Sequence, residues 1–146
     1  MLKVVLFDPI PKKNFRISKD TSGAYGTGND FGDTIIPNIL KRALKYSHDW
    51  PPLHSAYTLA VLKNKNYNSN YTKDLNYDFS NVDVVIIISS IVCCETEIEC
   101  IKKIKKINDK IKIFVIGPFA TNNPEKYIDE KAIVISGEPE FFFLKY

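Results

Sequence analysis

Several features are scarce in this chain of 146 residues, and each scarcity excludes a class of protein. No apolar run approaches the roughly 20 residues that are needed to cross a bilayer. The N-terminus has no cleavage site of small residues, so we do not expect a signal peptide. The lysines form no basic face with interleaved aromatic residues, which excludes a nucleic-acid surface. We therefore expect a cytoplasmic protein without a membrane or nucleic-acid partner.

The few cysteines and histidines lack the spacing of metal-ligating or catalytic sets. Cys93, Cys94 and Cys100 form neither a disulfide framework nor a paired C-x-x-C motif, so we expect reduced, packed thiols. His48 and His54 have no acidic or cysteine partner at ligand spacing. No G-x-S-x-G turn is present for a serine hydrolase. The chain is predicted to contain no catalytic residue and no metal ligand.

The clearest structural signal is an unbroken apolar run from Val84 to Ile88. Such a run is typical of a central strand that is buried on both faces of a parallel sheet. Ser89 and Ser90 follow it, and they either line a ligand crevice or only cap the next helix. Acidic residues at 95, 97 and 99 suit the start of that helix. The predicted buried stripe of the helix consists of Ile98, Cys100, Ile101, Ile104 and Ile107.

Four further segments have the pattern of strands. Leu2 to Phe7, Lys112 to Ile116 and Ala132 to Ile135 are apolar, whereas Tyr67 to Thr72 alternates weakly and is predicted to lie at a sheet edge. Strands that alternate with helices indicate an α/β protein with a parallel sheet. We predict a Rossmann-like or flavodoxin-like open sheet with five strands in the order 2-1-3-4-5 and helices on both faces. The segment 73–82 is too short for more than one or two helical turns.

Two helices are predicted between the first strand and the edge strand. One runs from Pro37 to about Tyr46, within an insertion from 11 to 49 that also contains a glycine-rich loop. No Gly-Lys-Ser/Thr follows this loop, so we favour a surface loop over a phosphate-binding loop. The second helix follows Pro52 and ends at Asn66 in a left-handed conformation. Its predicted buried stripe consists of Leu53, Ala56, Tyr57, Ala60 and Val61.

The predicted strands end in small residues or in Gly-Pro turns. An open parallel sheet binds its ligand at this carboxyl edge, and glycine there permits a ligand to approach the backbone. Glu138 and Glu140, which flank Pro139, form either a polar turn or a pair of catalytic carboxylates. The strand-end segments are Asp8-Pro9, Ser89-Ser90-Ile91, Gly117-Pro118-Phe119-Ala120-Thr121 and Ser136-Gly137-Glu138.

Five segments, in order along nearly the whole chain, carry a resemblance to a known family. They are Val4-Val-Leu-Phe-Asp-Pro, Trp50-Pro-Pro-Leu-His-Ser-Ala-Tyr-Thr-Leu-Ala-Val-Leu, Asp83-Val-Val-Ile-Ile-Ile-Ser-Ser, Phe114-Val-Ile-Gly-Pro-Phe-Ala-Thr and Ile135-Ser-Gly-Glu-Pro-Glu. The chain resembles the N-terminal cobalamin (B12)-binding domain of the B12-dependent radical SAM enzymes of the methyltransferase-like class. Each motif is weak alone, and the five in register are more specific.

The resemblance implies that residues 1–146 are a single Rossmann-like domain that holds cobalamin across the carboxyl ends of its strands. The nucleotide tail of the cofactor would then enter the sheet edge, and Pro52 and Leu53 would lie near the corrin. The cofactor-binding residues implied in this way are Asp8, Pro9, Pro52, Leu53, Ser89, Ser90, Ile91, Gly117, Pro118, Ala120, Thr121, Gly137 and Glu138.

The family's catalytic domain is the main departure from the resemblance. Its C-x-x-x-C-x-x-C cluster motif would follow Glu140, and the three cysteines do not match it. We therefore expect this chain to bind cobalamin without carrying the reaction. S-adenosylmethionine and a [4Fe-4S] cluster would belong to a radical SAM catalytic domain that acts in cis or in trans.

Two further expectations concern the cofactor and the alternatives. Some cobalamin domains place a histidine on the cobalt from an Asp-x-His-x-x-Gly motif, which this chain lacks. We therefore expect cobalamin to bind with its own base detached and without a histidine ligand. The alternative is a Rossmann-like module that binds another nucleotide-type ligand or serves only in protein interaction, with the aromatic residues 141–143 at the partner surface.

Overall fold

The computed structural model describes residues 1–10, 34–37, 39, 53–91 and 93–145. Within these ranges the strands are β1 (Lys3–Phe7), β2 (Asn68–Thr72), β3 (Val84–Ile88), β4 (Lys112–Ile116) and β5 (Ile133–Val134). The helices are α1 (Leu53–Asn64), α2 (Cys94–Ile107), α3 (Pro118–Asn122), α4 (Glu125–Ile128) and α5 (Pro139–Lys145).

The five strands form one sheet in the order β2-β1-β3-β4-β5. Every neighbouring pair is parallel, with Val4 opposite Ser69 in β2 and opposite Val84 in β3. The predicted fold class and strand order are confirmed. The order reverses between β1 and β3, where an open α/β sheet is expected to bind its ligand. The cleft among the described residues lies instead at the ends of β3, β4 and β5, and no residue of β1 lines it.

Strand β3 lies at the centre because it is apolar on both faces. Val85 and Ile87 pack into one hydrophobic cluster, together with Ile101 and Ile104 of α2. Ile86 and Ile88 pack into the cluster on the opposite face, which also contains Leu62 of α1 and Phe143 of α5. Each buried side chain of this size contributes about 1.5–3 kcal/mol of burial free energy, so both layers of helix hold the sheet.

The edge strand β2 joins β3 without a helix in the connection. Residues 73–83 instead pack aromatic side chains on the sheet, and the ring of Phe79 contacts the ring of Phe7 edge-on with centroids 5.3 Å apart. The ring of Tyr77 in turn contacts the ring of Phe79, with centroids 5.0 Å apart. The connection is therefore as short as the sequence predicted, and aromatic burial takes the place of a helix.

Helix α1 buries a different face from the predicted one. Leu53 and Tyr57 are 72% and 67% exposed, and Ala56 and Ala60 are exposed as well. Of the predicted stripe only Val61 is partly buried, against the cluster on its face of the sheet. The prediction was wrong because small hydroxyl side chains allow the helix to approach the sheet and α5 closely. The residues that the helix buries are Ser55, Thr58 and Leu62.

Helix α2 differs from its prediction at two positions. Ile107 is 52% exposed, and Glu97 is completely buried. The helix begins at Cys94 with Cys93 as its N-cap, so neither Ser89 nor Ser90 caps it. Asn66 has φ of 60°, which confirms the left-handed residue that was predicted after α1.

Parts of the predicted architecture lie outside the described residues. These include the glycine-rich loop, His48 and most of the helix predicted from Pro37 to Tyr46. Residues 35–37 are helical, so that helix begins before Pro37. None of the helices in the described ranges has the length and hydropathy to span a bilayer.

Candidate functional site

A cleft of about 470 Å³ opens at the carboxyl edge of the sheet, where β3, β4 and β5 end. Its volume lies within the range of about 300–1,000 Å³ that is typical of small-molecule sites. Ile88 and Ile116, the last residues of β3 and β4, form part of its apolar lining. The other lining residues of this carboxyl-edge cleft are His54, Gly117, Pro118, Thr121, Asn122, Gly137, Glu138, Pro139 and Glu140.

The carboxyl-edge cleft brings together five of the residues that the sequence analysis selected. They come from Gly117 and the helix α3 that follows it, after β4, and from the turn after β5, and the parallel pairing of β4 and β5 places these two segments side by side. They are Gly117, Pro118, Thr121, Gly137 and Glu138.

Gly117 and Gly137 shape the cleft in different ways. Gly117 has φ of 115°, and a Cβ there would lie 3.0 Å from Ser89 Oγ and 3.2 Å from the Ser89 carbonyl oxygen. Gly117 is therefore fixed by the close packing of the β4 turn on the β3 turn. Gly137 has φ of 88°, but a Cβ there would meet nothing within 4 Å. The space above Gly137 is thus open to a ligand.

Ser89 and Ser90 lie beneath the surface of this edge. Both are 0% exposed, and the Ala120 N–H donates to Ser89 Oγ at 3.0 Å. The Ser89 hydroxyl therefore holds the first turn of α3 in place. Ser90 Oγ is buried and has no hydrogen-bond partner among the described residues. Direct contact of either hydroxyl with a ligand requires the β3 turn to move.

A buried carboxylate supports the β3 turn from the side of α2. Glu97 is 0% exposed, and its Oε1 accepts a hydrogen bond from the Ser90 N–H at 2.9 Å. Its Oε2 accepts one from the Tyr127 hydroxyl at 2.6 Å. Burial, reinforced by the charge of Glu97, raises the pKa of Tyr127, and burial also raises the pKa of the neighbouring Cys94 thiol. The tyrosine therefore acts as a donor that keeps its proton.

Asp8 and Pro9 end β1 at the same sheet edge, but they do not line the carboxyl-edge cleft. Asp8 is 5% exposed, and its Oδ2 accepts a hydrogen bond from the Tyr71 hydroxyl at 2.9 Å. The Asp8 N–H donates to the Thr72 carbonyl at 2.9 Å. In this conformation Asp8 ties β1 to the edge strand β2.

The remaining selected residues also lie outside the cleft lining. Leu53 begins α1 and is 72% exposed, Ile91 is 53% exposed, and Ala120 is completely buried. Pro52 lies outside the described residues. No three or more His, Cys, Asp or Glu side chains in the described ranges are grouped so that they could hold a metal ion.

Four residues of this region were not among the predicted cofactor-binding residues. They are Asn122, Glu97, His54, which was judged not to be a metal ligand, and Glu140, which was considered only as part of a polar turn or a carboxylate pair. His54 and Asn122 line the carboxyl-edge cleft, and so does Glu140. The Thr58 hydroxyl lies 3.1 Å from Glu140 Oε1 and 3.0 Å from the His54 carbonyl oxygen, so these two acceptors share its one proton. Pro139 begins helix α5, so the segment read as a polar turn instead starts a helix that carries Glu140 in its first turn. The burial of Glu97 could have been inferred from helical spacing. It lies three residues before Cys100, four before Ile101 and seven before Ile104, which places it on the buried face of α2.

A comparison of the chain with known proteins found no matching family model, curated protein or solved structure.

Proposed function

We propose that this chain is a cobalamin-binding module that serves a radical SAM enzyme and contributes no catalytic residue of its own. The observation that carries the proposal is the carboxyl-edge cleft, which five of the residues implied by the resemblance line together. They converge from turns 20 residues apart, Gly117 and Gly137, at the edge where open parallel sheets bind ligands.

The residues of the cleft fit one part of this cofactor, its nucleotide tail. Ile88, Ile116 and Pro118 supply an apolar lining for an aromatic base. The Thr121 hydroxyl and the Asn122 amide donate to the Gly117 and Pro118 carbonyl oxygens, so their side-chain oxygens remain as acceptors for the hydroxyl groups of the sugar. A Cβ at Gly137 would meet nothing within 4 Å, so the backbone there is open to the tail. When bound, cobalamin would supply the methyl-carrying cobalt chemistry of the partner domain, while this chain would position the cofactor.

The surface and the cysteines support the rest of the proposal. Of the aromatic residues 141–143, which were expected at a partner surface, only Phe141 is exposed, at 67%, because Phe142 and Phe143 pack against Phe114 in the core. Phe141 and Leu144, which is 48% exposed, offer a small apolar surface for a catalytic domain in cis or in trans. The cysteines are buried and unbridged, as they would be in the reducing cytoplasm. Because the cleft contains His54, the proposal that cobalamin binds with its base detached and without a histidine on cobalt has a direct test there.

Titration with hydroxocobalamin tests the proposal. We expect a saturable change in the visible spectrum at micromolar cofactor, and we expect His54→Ala to leave the bound spectrum unchanged. Gly137→Phe fills the open space and should weaken binding at least tenfold, about 1.4 kcal/mol. A matched control is Phe141→Ala, which is exposed and lies outside the cleft lining.

Adenosine and ATP, titrated in parallel, test the alternative of another nucleotide-type ligand. Saturable binding of either, with no spectral change from hydroxocobalamin, would replace cobalamin by that ligand. Binding of hydroxocobalamin that Gly137→Phe does not weaken would place the cofactor away from the carboxyl-edge cleft.

A further inference from the structure

We infer that the outer face of α1, made of Leu53, Ala56, Tyr57 and Ala60, docks against the same face of a second copy of this chain. The two α1 helices would run antiparallel across a two-fold axis. None of these four residues lines the carboxyl-edge cleft, so the inference goes beyond the proposed function and does not depend on it.

The first observation is that the outer face of α1 is apolar although it faces solvent. Leu53 and Tyr57 are 72% and 67% exposed, and Ala56 and Ala60 are exposed as well. The other exposed residues of α1 lie in its last turn. A surface helix normally carries charged or polar residues on the side away from the core. The first turns of α1 instead present the kind of apolar surface that marks an interaction site.

Helix α2 shows the contrasting case of a helix whose outer face is solvated. Of its six exposed residues, five are charged. These six residues are Glu95, Glu99, Lys102, Lys103, Lys106 and Ile107. The two helices pack on opposite faces of the same sheet, so the apolar outer face is a property of the α1 side alone.

The second observation is that the outer face of α1 has a shape that can pair with itself. Its large side chains, Leu53 and Tyr57, alternate along the helix with two alanines. When two such faces overlap fully in antiparallel orientation, Leu53 lies opposite the partner's Ala60, and Tyr57 lies opposite the partner's Ala56. Large side chains then fill the space beside small ones, and a two-fold axis makes each such contact twice. A parallel pair would place alanine against alanine and leave gaps.

The third observation concerns the charges at the two ends of α1. Lys63 in the last turn is the only Lys, Arg, Asp or Glu residue of this helix. The first turn carries His54, which lines the carboxyl-edge cleft together with Glu138 and Glu140. The antiparallel dimer brings the partner's Lys63 to this end, where it meets charges of opposite sign. The two lysines would lie about 20 Å apart along the axis, at about 1.5 Å per residue, whereas a parallel pair would bring them together.

The size of the outer face sets the expected strength of the dimer. A fully covered aromatic side chain buries roughly 150–250 Å², so the eight side chains of two faces would bury on the order of 800 Å². Stable specific interfaces bury about 1,200 Å² or more, so we expect a weak dimer. Its dissociation constant should lie in the range of roughly 10–300 μM.

Sedimentation equilibrium of the whole chain tests the dimer, over concentrations of about 5–500 μM that bracket this dissociation constant. Tyr57→Arg places a charge in the middle of the outer face of α1 and should weaken association at least tenfold. The matched control is Ile107→Arg, which adds the same charge at an apolar position that is 52% exposed on the opposite side of the sheet. This control should associate as the unmodified protein does. Circular dichroism shows whether each variant is folded.

Disulfide cross-linking tests the antiparallel arrangement. The native cysteines are buried and unbridged, so mild oxidation acts first on cysteines introduced at the surface. An equal mixture of Leu53→Cys and Ala60→Cys should give a cross-linked heterodimer. Either variant alone should cross-link at least fivefold less, because two copies of one position lie about 10 Å apart along the axis, beyond the reach of a disulfide.

The outcomes separate this inference from the proposed function. A chain that stays monomeric throughout the concentration range overturns the inference, and so does a Tyr57→Arg variant that associates as well as the Ile107→Arg control. Stronger cross-linking within the single variants than in the mixture overturns the antiparallel arrangement. If the chain dimerises through α1 and hydroxocobalamin does not bind, the inference stands and the proposed function falls. If Tyr57→Arg binds hydroxocobalamin with unchanged affinity and the unmodified chain does not dimerise, the proposed function stands and the inference falls.

Discussion

Replacing Glu97 by leucine should destabilise the fold far more than replacing any exposed glutamate of α2. The carboxylate accepts hydrogen bonds from the Ser90 N–H at 2.9 Å and from the Tyr127 hydroxyl at 2.6 Å. All three residues are 0% exposed, so water cannot take over these bonds. Leucine would fill much of the volume but would leave two buried donors without their acceptor.

The magnitude follows from those two donors. Each buried donor that loses its partner costs about 1–3 kcal/mol, so Glu97→Leu should cost roughly 2–5 kcal/mol after the gain in apolar burial. A domain of this size has a free energy of unfolding of about 5–15 kcal/mol. Over most of that range Glu97→Leu should leave enough folded protein for its unfolding to be measured. Glu95→Leu, at an exposed position on the same helix, is the matched control and should cost no more than about 1 kcal/mol, because it loses only the favourable interaction of a first-turn carboxylate with the helix N-terminus.

A double-mutant cycle with Tyr127→Phe isolates the interaction. In the unmodified protein Tyr127→Phe removes a hydrogen bond to a buried carboxylate and should cost about 1.5–3 kcal/mol. In the Glu97→Leu background the same change removes an unpaired hydroxyl and should be neutral or stabilising. Urea unfolding followed by circular dichroism gives the four free energies of unfolding.

One outcome of the double-mutant cycle would contradict the prediction that Glu97 and Tyr127 stabilise the fold together. If the two changes add within about 0.5 kcal/mol, the carboxylate and the tyrosine do not depend on each other, and the network does not support the β3 turn. If Glu97→Leu leaves too little folded protein, Glu97→Gln replaces it in the same cycle. Glutamine retains one acceptor and should lie between glutamate and leucine in stability.

Two further predictions follow from the same turns. Burial raises the pKa of Tyr127 in the folded protein above its ordinary value of 10.0. As the pH rises above about 10, the tyrosine therefore loses its proton in the unfolded chain but keeps it in the folded protein. The free energy of unfolding should then fall by up to about 1.4 kcal/mol per pH unit. Tyr127→Phe should remove this part of the slope in urea unfolding between pH 10 and 11, and an unchanged slope in that variant would refute the assignment. Gly117→Ala should lower the free energy of unfolding by about 2–4 kcal/mol, because it strains the backbone and brings the new Cβ to 3.0 Å from Ser89 Oγ. Gly137→Ala strains the backbone without such a contact and should lower it by about 1–2 kcal/mol. Equal losses in thermal or urea unfolding would show that the contact with Ser89 is relieved without cost.

The strands and their order could be predicted because their signals are local. The run from Val84 to Ile88 is apolar at every position, and only a strand covered on both faces buries it. The weak alternation from Tyr67 to Thr72 marked an edge, and β2 is at the edge. The alternation of strands and helices then left few topologies for a parallel sheet.

The carboxyl-edge cleft could be predicted in part. Gly117, Pro118, Thr121, Gly137 and Glu138 follow strands, and all parallel strands end at one edge, so their convergence follows from the fold class. His54 and Glu140 could not be selected in this way, because they lie on α1 and α5, whose rotation about their own axes is set by packing. Asn122 lies on α3 one residue beyond the predicted segment, which ended at Thr121.

What the amino-acid sequence determined by itself is the class of the fold, the order of its strands and the edge at which the cleft opens. The tertiary structure alone decided which faces are buried. Helix α1 has apolar residues on two sides, and it buries the side that carries Ser55, Thr58 and Leu62. On that side the Thr58 hydroxyl contacts the Glu140 carboxylate of α5. Glu97 is buried because its partners, Ser90 and Tyr127, come from elements that are 7 and 30 residues away along the chain. A charged side chain is tolerated in a core only where such donors meet it, and that meeting exists only in the folded chain.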